Sequence, residues 1–298
     1  MKKSITPHSE TVGLLYGLLG VIAFSGTLPA TRIAVTNLDP TFVGLGRALV
    51  AAILAAVLLR ITKQPIPPRK YWRSLAIVAA GVIVGFPLLS AWAMHELPAS
   101  HGAIVTGILP LGTAIAGALR AGERPSFSFW VASILGSAAV VSFAVITGNG
   151  TIQFADSALV GAVISAALGY AEGGKLARTL GGWQVICWSL VLAAPILTAP
   201  IAFVVLQHGV SASPYAWLGF GYVSVVSMFL GFFAWYHGLA IGGIVRVGQV
   251  QLLQPFLTIF FSTLLLGEKI NLVTMTTAVI VVLSVAIGRK QSIKRPET

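Results

Sequence analysis

Charge is scarce in this sequence. Only 9% of its 298 residues are charged, against 56% hydrophobic, where a soluble domain carries roughly a quarter charged residues. So little charge cannot cover a water-facing surface, and lipid must be the solvent for much of the chain. Cysteine occurs once, as Cys187 inside an apolar run. That excludes an intrachain disulfide and a cysteine-based metal cluster. Polar linkers are short: the longest, around 62–70, is basic and holds Pro65, Pro67 and Pro68, so no soluble domain fits between the apolar runs. The first run, about 12–35, is long enough to span and lacks a short h-region with a cleavage site, so no cleavable signal peptide is expected.

What is abundant is equally telling. The 32 glycines suit membrane helices, where Gly is enriched. The net charge of +11 does not read as a nucleic-acid footprint, because the basic residues lie between apolar runs rather than on one amphipathic face. A helix crosses the hydrocarbon core with about 20 apolar residues. Ten such runs are expected, at about 11–36, 41–61, 71–94, 99–119, 126–147, 157–178, 182–206, 216–237, 241–266 and 272–288. With ten spans, one side of the bilayer holds Lys2, Lys3, Arg60, Lys63, Arg69, Lys70, Arg73, Arg120, Arg124, Lys175, Arg178, Arg246, Arg289, Lys290, Lys294 and Arg295. The other side holds Arg32 and Lys269, and Arg47 falls within the second span, which completes the 19 cations. The positive side faces the cytoplasm, so both termini are expected there, and the chain is expected to be a multi-pass protein of the inner membrane.

The sequence also repeats itself. Pro110 precedes Gly122-Glu123-Arg124, and Pro255 precedes Gly267-Glu268-Lys269, with thirteen residues from Pro to Glu in both cases. Upstream, Ala91-Trp92 near His95 parallels Ala234-Trp235 near His237, with a two-residue insertion. The expected division is 1–150 and 151–298, each with five spans. Five is odd, so the second half should sit inverted relative to the first, which is a mark of secondary transporters.

At these residues the sequence resembles the drug/metabolite transporter superfamily, specifically its EamA-type ten-helix exporters, and most of all the YddG-type amino-acid exporters. The carrying features are Arg47 in Gly-Arg-Ala-Leu after Asp39-Pro40, the paired Pro…Gly-Glu-Arg and Pro…Gly-Glu-Lys ends, and Ala234-Trp235 closing the eighth span. The resemblance covers essentially the whole chain. It implies an all-α membrane fold with a central cavity between the halves and with spans five and ten peripheral. One departure stands out: the family often has a Trp in the sixth span before its Tyr, whereas Ala167 precedes Tyr170 here. That would remove an aromatic wall and a narrow preference for aromatic substrates. No carboxylate occupies the middle of the first span, so the coupling of small four-helix cation exporters is not available.

Candidate binding residues follow from what apolar surroundings make costly. A membrane-embedded proline leaves the carbonyl four residues earlier without its partner, and in lipid that carbonyl must be satisfied by protein, water or ligand. Pro29, Pro110 and Pro255 free the carbonyls of Ser25, Thr106 and Gln251, either towards a wet cavity or towards local capping. Gln251, Gln254, Thr258 and Ser262 fall within about 80° of one helix face, which should look inward, as ligand contacts or as interhelical glue. Arg47 either pairs with a substrate carboxylate or anchors the structure. Ser90 and Trp92, Ser165 and Tyr170, and Ser227 and Trp235 are further lining candidates, though Trp or Tyr near a span end is often an interface anchor. Pro29, Pro87, Pro110, Pro195 and Pro255 are candidate hinges. Gly13/Gly17 and Gly81/Gly85 read as close-packing pairs.

Glu172 and Lys175 are expected as a local i, i+3 pair, with a proton relay as the alternative. His95, Glu96 and His101 miss the zinc-protease spacing and read as a wet periplasmic loop. No metal, cofactor or nucleic acid is expected. No paired catalytic groups stand at membrane depth, so an enzyme is not expected. The expected partners are a small-molecule substrate and lipid, and the expected form is a monomer. The function expected is a secondary carrier that exports amino acids or similar metabolites by alternating access. Efflux of lipophilic drugs or other metabolites by the same fold is the alternative.

Overall fold

The computed structural model describes residues 7–121, 127–147 and 153–289. Among these residues there is helix and connecting turn but no strand, as lipid demands of a chain that must satisfy its backbone internally. Among the described residues eight helices are long and apolar enough to cross a membrane: α1 (Thr11–Ala34), α2 (Pro40–Ile61), α3 (Arg69–Glu96), α4 (Ala99–Arg120), α6 (Phe154–Leu180), α7 (Gly182–His208), α8 (Pro214–Gly242) and α9 (Ile244–Leu266). Two more helices, α5 (Phe127–Thr147) and α10 (Leu272–Arg289), pack against each other. The Gly122-Glu123-Arg124 motif and Lys2, Lys3, Lys290, Lys294 and Arg295 lie outside the described residues.

Helix starts are set locally. Asp39 Oδ1 accepts from the Thr41 and Phe42 N–H groups, with Pro40 at the first position of α2, a pairing that satisfies orphan donors where proline needs none. Gln153 and Asp156 form a capping box on α6. Gly267 ends α9 at φ 66°, a left-handed residue that suits glycine. It delivers Glu268 across to α4, where its two carboxylate oxygens accept from the Ala99 and Ser100 N–H groups, both at 2.8 Å.

The long helices are interrupted in matching places. In α3 a π-helical stretch, Ala79–Gly85, precedes Pro87. In α8 a π-helical stretch covers Tyr222–Leu230. The α4 helix breaks at Gly107 just before Pro110, and α9 passes through a 3₁₀ stretch, Gln249–Leu253, just before Pro255. The α1 helix breaks at Gly26, and Pro29 sits in the piece that follows. Pro195 alone of the five candidate hinges lies inside an unbroken helix. The Gln251 carbonyl freed by Pro255 is taken by the Gln254 N–H through the 3₁₀ turn, so local capping accounts for that group.

The α1 and α8 helices cross in backbone contact: a Cβ on Gly13 would stand 2.6 Å from Gly242 Cα, and one on Gly238 would stand 2.8 Å from Gly17 N. Outward faces carry large exposed apolar side chains, among them Leu19, Ile53, Ile164, Ile196, Phe203 and Leu264. A belt of that extent needs lipid to cover it.

Candidate functional site

A narrow cavity opens where α1, α2, α3, α4, α6, α8 and α9 converge. Phe24, Thr27, Leu28, Arg47, Val82, Phe86, Thr106, Tyr170, Ser227, Met228, Phe232 and Gln254 line it. The space between its lining atoms is about 430 Å³ with the open mouth included, but only about 20 Å³ of it can hold the centre of a water, room for one or two waters. The cavity is therefore drawn in around its polar groups.

Arg47 is the outstanding one. It sits two turns into α2, 1% exposed, and its Nε and Nη1 have no hydrogen-bond partner. A guanidinium held that deep without a counter-charge is costly unless something supplies one. Gln254 enters from α9, where the helix restarts after its 3₁₀ turn, and its Oε1 is likewise buried and unpartnered. Thr27 and Ser227 share a hydrogen bond of 2.8 Å between α1 and α8 at the cavity edge. Thr106 turns its hydroxyl back onto the Gly102 and Ala103 carbonyls, which leaves mainly its methyl for a ligand.

The aromatic side of the cavity is a cluster. Phe24 lies 4.9 Å from Phe232 and 6.2 Å from Tyr170, centroid to centroid, and Tyr170 lies 5.3 Å from Trp235. Ala167 does not face this space; it is buried against Gly112 of α4. The aromatic side of the cavity is built from Phe24, Tyr170 and Phe232, and residue 167 has no part in it. No sequence signal marks the two phenylalanines, because a Phe in an apolar helix has no contrast with its neighbours.

The cavity thus gathers Arg47, Thr106, Tyr170, Ser227 and Gln254 out of the residues singled out by sequence, and the others lie off its wall. Ser25 donates to the Val21 carbonyl and Ser90 to the Pro87 carbonyl. Trp92 donates through Nε1 to Thr41 Oγ1, tying α3 to α2. Ser165 sits where α6 crosses α3, against Gly85. Trp235 is fully buried behind Tyr170, with its Nε1 unpartnered. Gln251 Oε1 accepts from Thr113 Oγ1 at 3.4 Å, a link between α9 and α4, while its Nε2 is unpartnered. The polar stripe of α9 does face inward, since Gln251, Thr258 and Ser262 are buried while Phe260 and Leu264 on the other face are exposed.

Two sequence expectations need correction. Glu172 does not pair with Lys175, which is exposed. Glu172 is buried in the seam with α3 and α4, accepts from Ser74 Oγ at 2.5 Å and stands 3.7 Å from Arg120 Nη1. His101 is not in a wet loop with His95 and Glu96: α4 starts at Ala99, which puts His101 in its first turn, buried, with Nε2 2.7 Å from Asp156 Oδ1 on α6. Among the described residues no group of three or more His, Cys, Asp or Glu could hold a metal ion.

The chain's relatives agree with this architecture. Residues 11–145 and 153–288 each match the EamA-like transporter family. The chain is 44% identical over 284 residues to the uncharacterized transporter YdeK of Bacillus subtilis, covering 95% of this chain and 99% of that one. It is 23% identical over 261 residues to a protein named probable terminal-alkyne amino-acid exporter in Streptantibioticus cattleyicolor, covering 84% of each. A crystal structure with only 15% identity shares the fold at a TM-score of 0.67, over 94% of this chain and 97% of that one. Matched twice along its length by one family, and by a transporter relative over nearly all of it, this chain belongs to the EamA-like transporter family.

Proposed function

We propose that this transporter is a secondary carrier that moves amino acids or similar small carboxylate metabolites outward across the inner membrane. The observation that carries the reading is Arg47, buried on the cavity wall with two nitrogens unpartnered. A carboxylate can take two guanidinium N–H groups at once, and Gln254 offers a second polar contact. The name of the Streptantibioticus relative, an amino-acid exporter, points the same way. The carrier works as a monomer with ten crossings, α5 and α10 included, and with both termini in the cytoplasm.

In this reading 1–150 and 151–298 are inverted halves that rock about the cavity. The support is the matching of irregular stretches: π-helix in α3 and α8, and breaks before Pro110 and Pro255 in α4 and α9. Such interruptions bend more readily than regular helix. The cavity is too tight for an amino acid as it stands, so a solute enters only as the halves part. The largely apolar wall also suits a lipophilic drug, and Leu28, Val82 and Met228 are the residues that favour this second reading.

Counterflow in proteoliposomes with a panel of labelled amino acids tests the proposal. The expected result is saturable uptake driven by unlabelled solute inside. A protein inert toward the whole panel, but moving hydrophobic dyes, overturns the substrate reading in favour of drug efflux.

A further inference from the structure

The charge in the cavity does not balance. The sequence holds eight carboxylates, and each one whose side chain is described is engaged away from the cavity. Asp39 caps α2, and Glu96 pairs with His95 at the surface. Asp156 meets His101, Glu172 meets Ser74 and Arg120, and Glu268 caps α4. Among the described residues, the wall carries one charge, the Arg47 guanidinium, and no acid.

An amino acid in its ordinary zwitterionic form would not correct this. Its carboxylate would satisfy Arg47, but its ammonium would bring a second cation into a space without a carboxylate. Gln254 Oε1, the hydroxyls of Thr27, Thr106, Tyr170 and Ser227 and ring faces would be at hand to receive it, and none of them carries a negative charge. The net charge of the occupied cavity would stay at +1, in surroundings of low dielectric where charges are weakly screened. A carboxylate with no ammonium leaves the occupied cavity neutral, and its remaining body meets Phe24, Leu28, Val82, Phe86, Met228 and Phe232.

We infer that the solute this cavity takes best is a small monoanion: a 2-oxo acid, a 2-hydroxy acid or an N-acylated amino acid with an apolar side chain. The inference rests on the carrier reading above and narrows its substrate class. It also fixes a physical signature. A zwitterion moves without net charge, whereas a monoanion carries one negative charge across the bilayer on each passage, unless a co-transported proton compensates for it. Nothing on the cavity wall among the described residues offers a carboxylate to take such a proton.

The test uses three probes with one side chain: leucine, its 2-oxo acid and its amide, at net charges of 0, −1 and +1. Full-length protein in liposomes is loaded with each unlabelled probe, and counterflow of the labelled form is measured. The 2-oxo acid is expected to exchange at least tenfold faster than leucine or the amide. Net uptake of the 2-oxo acid should accelerate when valinomycin and potassium make the interior positive. The Arg47→Gln variant should lose exchange, and Arg47→Lys should keep part of it. The potential dependence is read on the unmodified protein, so it stands even where a variant does not fold. Leucine exchanging as fast as its 2-oxo acid, or uptake of the acid indifferent to potential, overturns the inference. If the 2-oxo acid is ignored while amino acids are exchanged, the monoanion falls and the carrier reading survives. If nothing at all is exchanged, both fall.

Discussion

Thr27 and Ser227 are joined by a hydrogen bond of 2.8 Å at the edge of the cavity. One belongs to the first family match and the other to the second, so the bond ties the two matched halves together at the cavity edge. Both hydroxyls are buried, which makes breaking the bond without a replacement costly. A double-mutant cycle of Thr27→Val and Ser227→Ala should show a coupling of about 0.5–1.5 kcal/mol in thermal or denaturant unfolding in detergent. Losses that simply add would mean that the strap contributes nothing.

The two glutamines of α9 should separate by function. Gln254 reaches the cavity with an unpartnered Oε1, whereas Gln251 lies off the cavity wall and turns its Oε1 to Thr113. Gln254→Ala is expected to cut counterflow by about tenfold, the effect of losing roughly 1.4 kcal/mol of solute interaction, with little change in stability. Gln251→Ala should chiefly lower stability, by about 1 kcal/mol, with solute affinity nearly unchanged. The opposite assignment of affinity and stability losses would place the binding contact on the wrong turn of the helix.

Glu268 holds the start of α4 through two backbone N–H groups. A carboxylate at a helix N-terminus gains from both hydrogen bonding and the helix dipole. Glu268→Gln keeps one acceptor oxygen and removes the charge, so it should cost about 0.5–1 kcal/mol. Glu268→Ala removes both acceptors and should cost about 1–2 kcal/mol. Unfolding midpoints in detergent check the ranking, and equal losses for the two variants would leave the charge without a part in the cap.

Much of this is legible in the sequence, and what is not has a physical reason. Arg47 and Gln254 stand out in sequence because a polar group in an apolar helix is costly wherever it points, so its presence asks for a reason. Phe24, Phe232 and Met228 on the same wall do not stand out. A membrane helix is apolar on its lipid face and its core face alike, and the period that betrays an amphipathic soluble helix is lost. Position along the chain also misled. Its nearness to His95 and Glu96 made His101 look like loop, yet Pro98 between them is well suited to opening a helix, and one turn of α4 was enough to bury that histidine against Asp156. Glu172 looked local to Lys175, but its partners, Ser74 and Arg120, come from other helices, a matter of packing that spacing alone does not encode.

The crossing of α1 and α8 gives the sharpest test of packing. A Cβ at residue 13 would meet Gly242 Cα at 2.6 Å, a backbone atom that cannot swing aside. Gly13→Ala should therefore push the helices apart and destabilise the protein by about 1–3 kcal/mol, the usual range for overpacking. Gly221 is the internal control: it ends the first piece of α8 with nothing within 4 Å of the added Cβ. Alanine there should be neutral or stabilising by up to about 1 kcal/mol, because it lowers the entropy lost on forming helix. Thermal unfolding of both variants in the same detergent decides the matter. A Gly13→Ala protein as stable as Gly221→Ala would mean that the two helices do not approach as closely as their glycines allow.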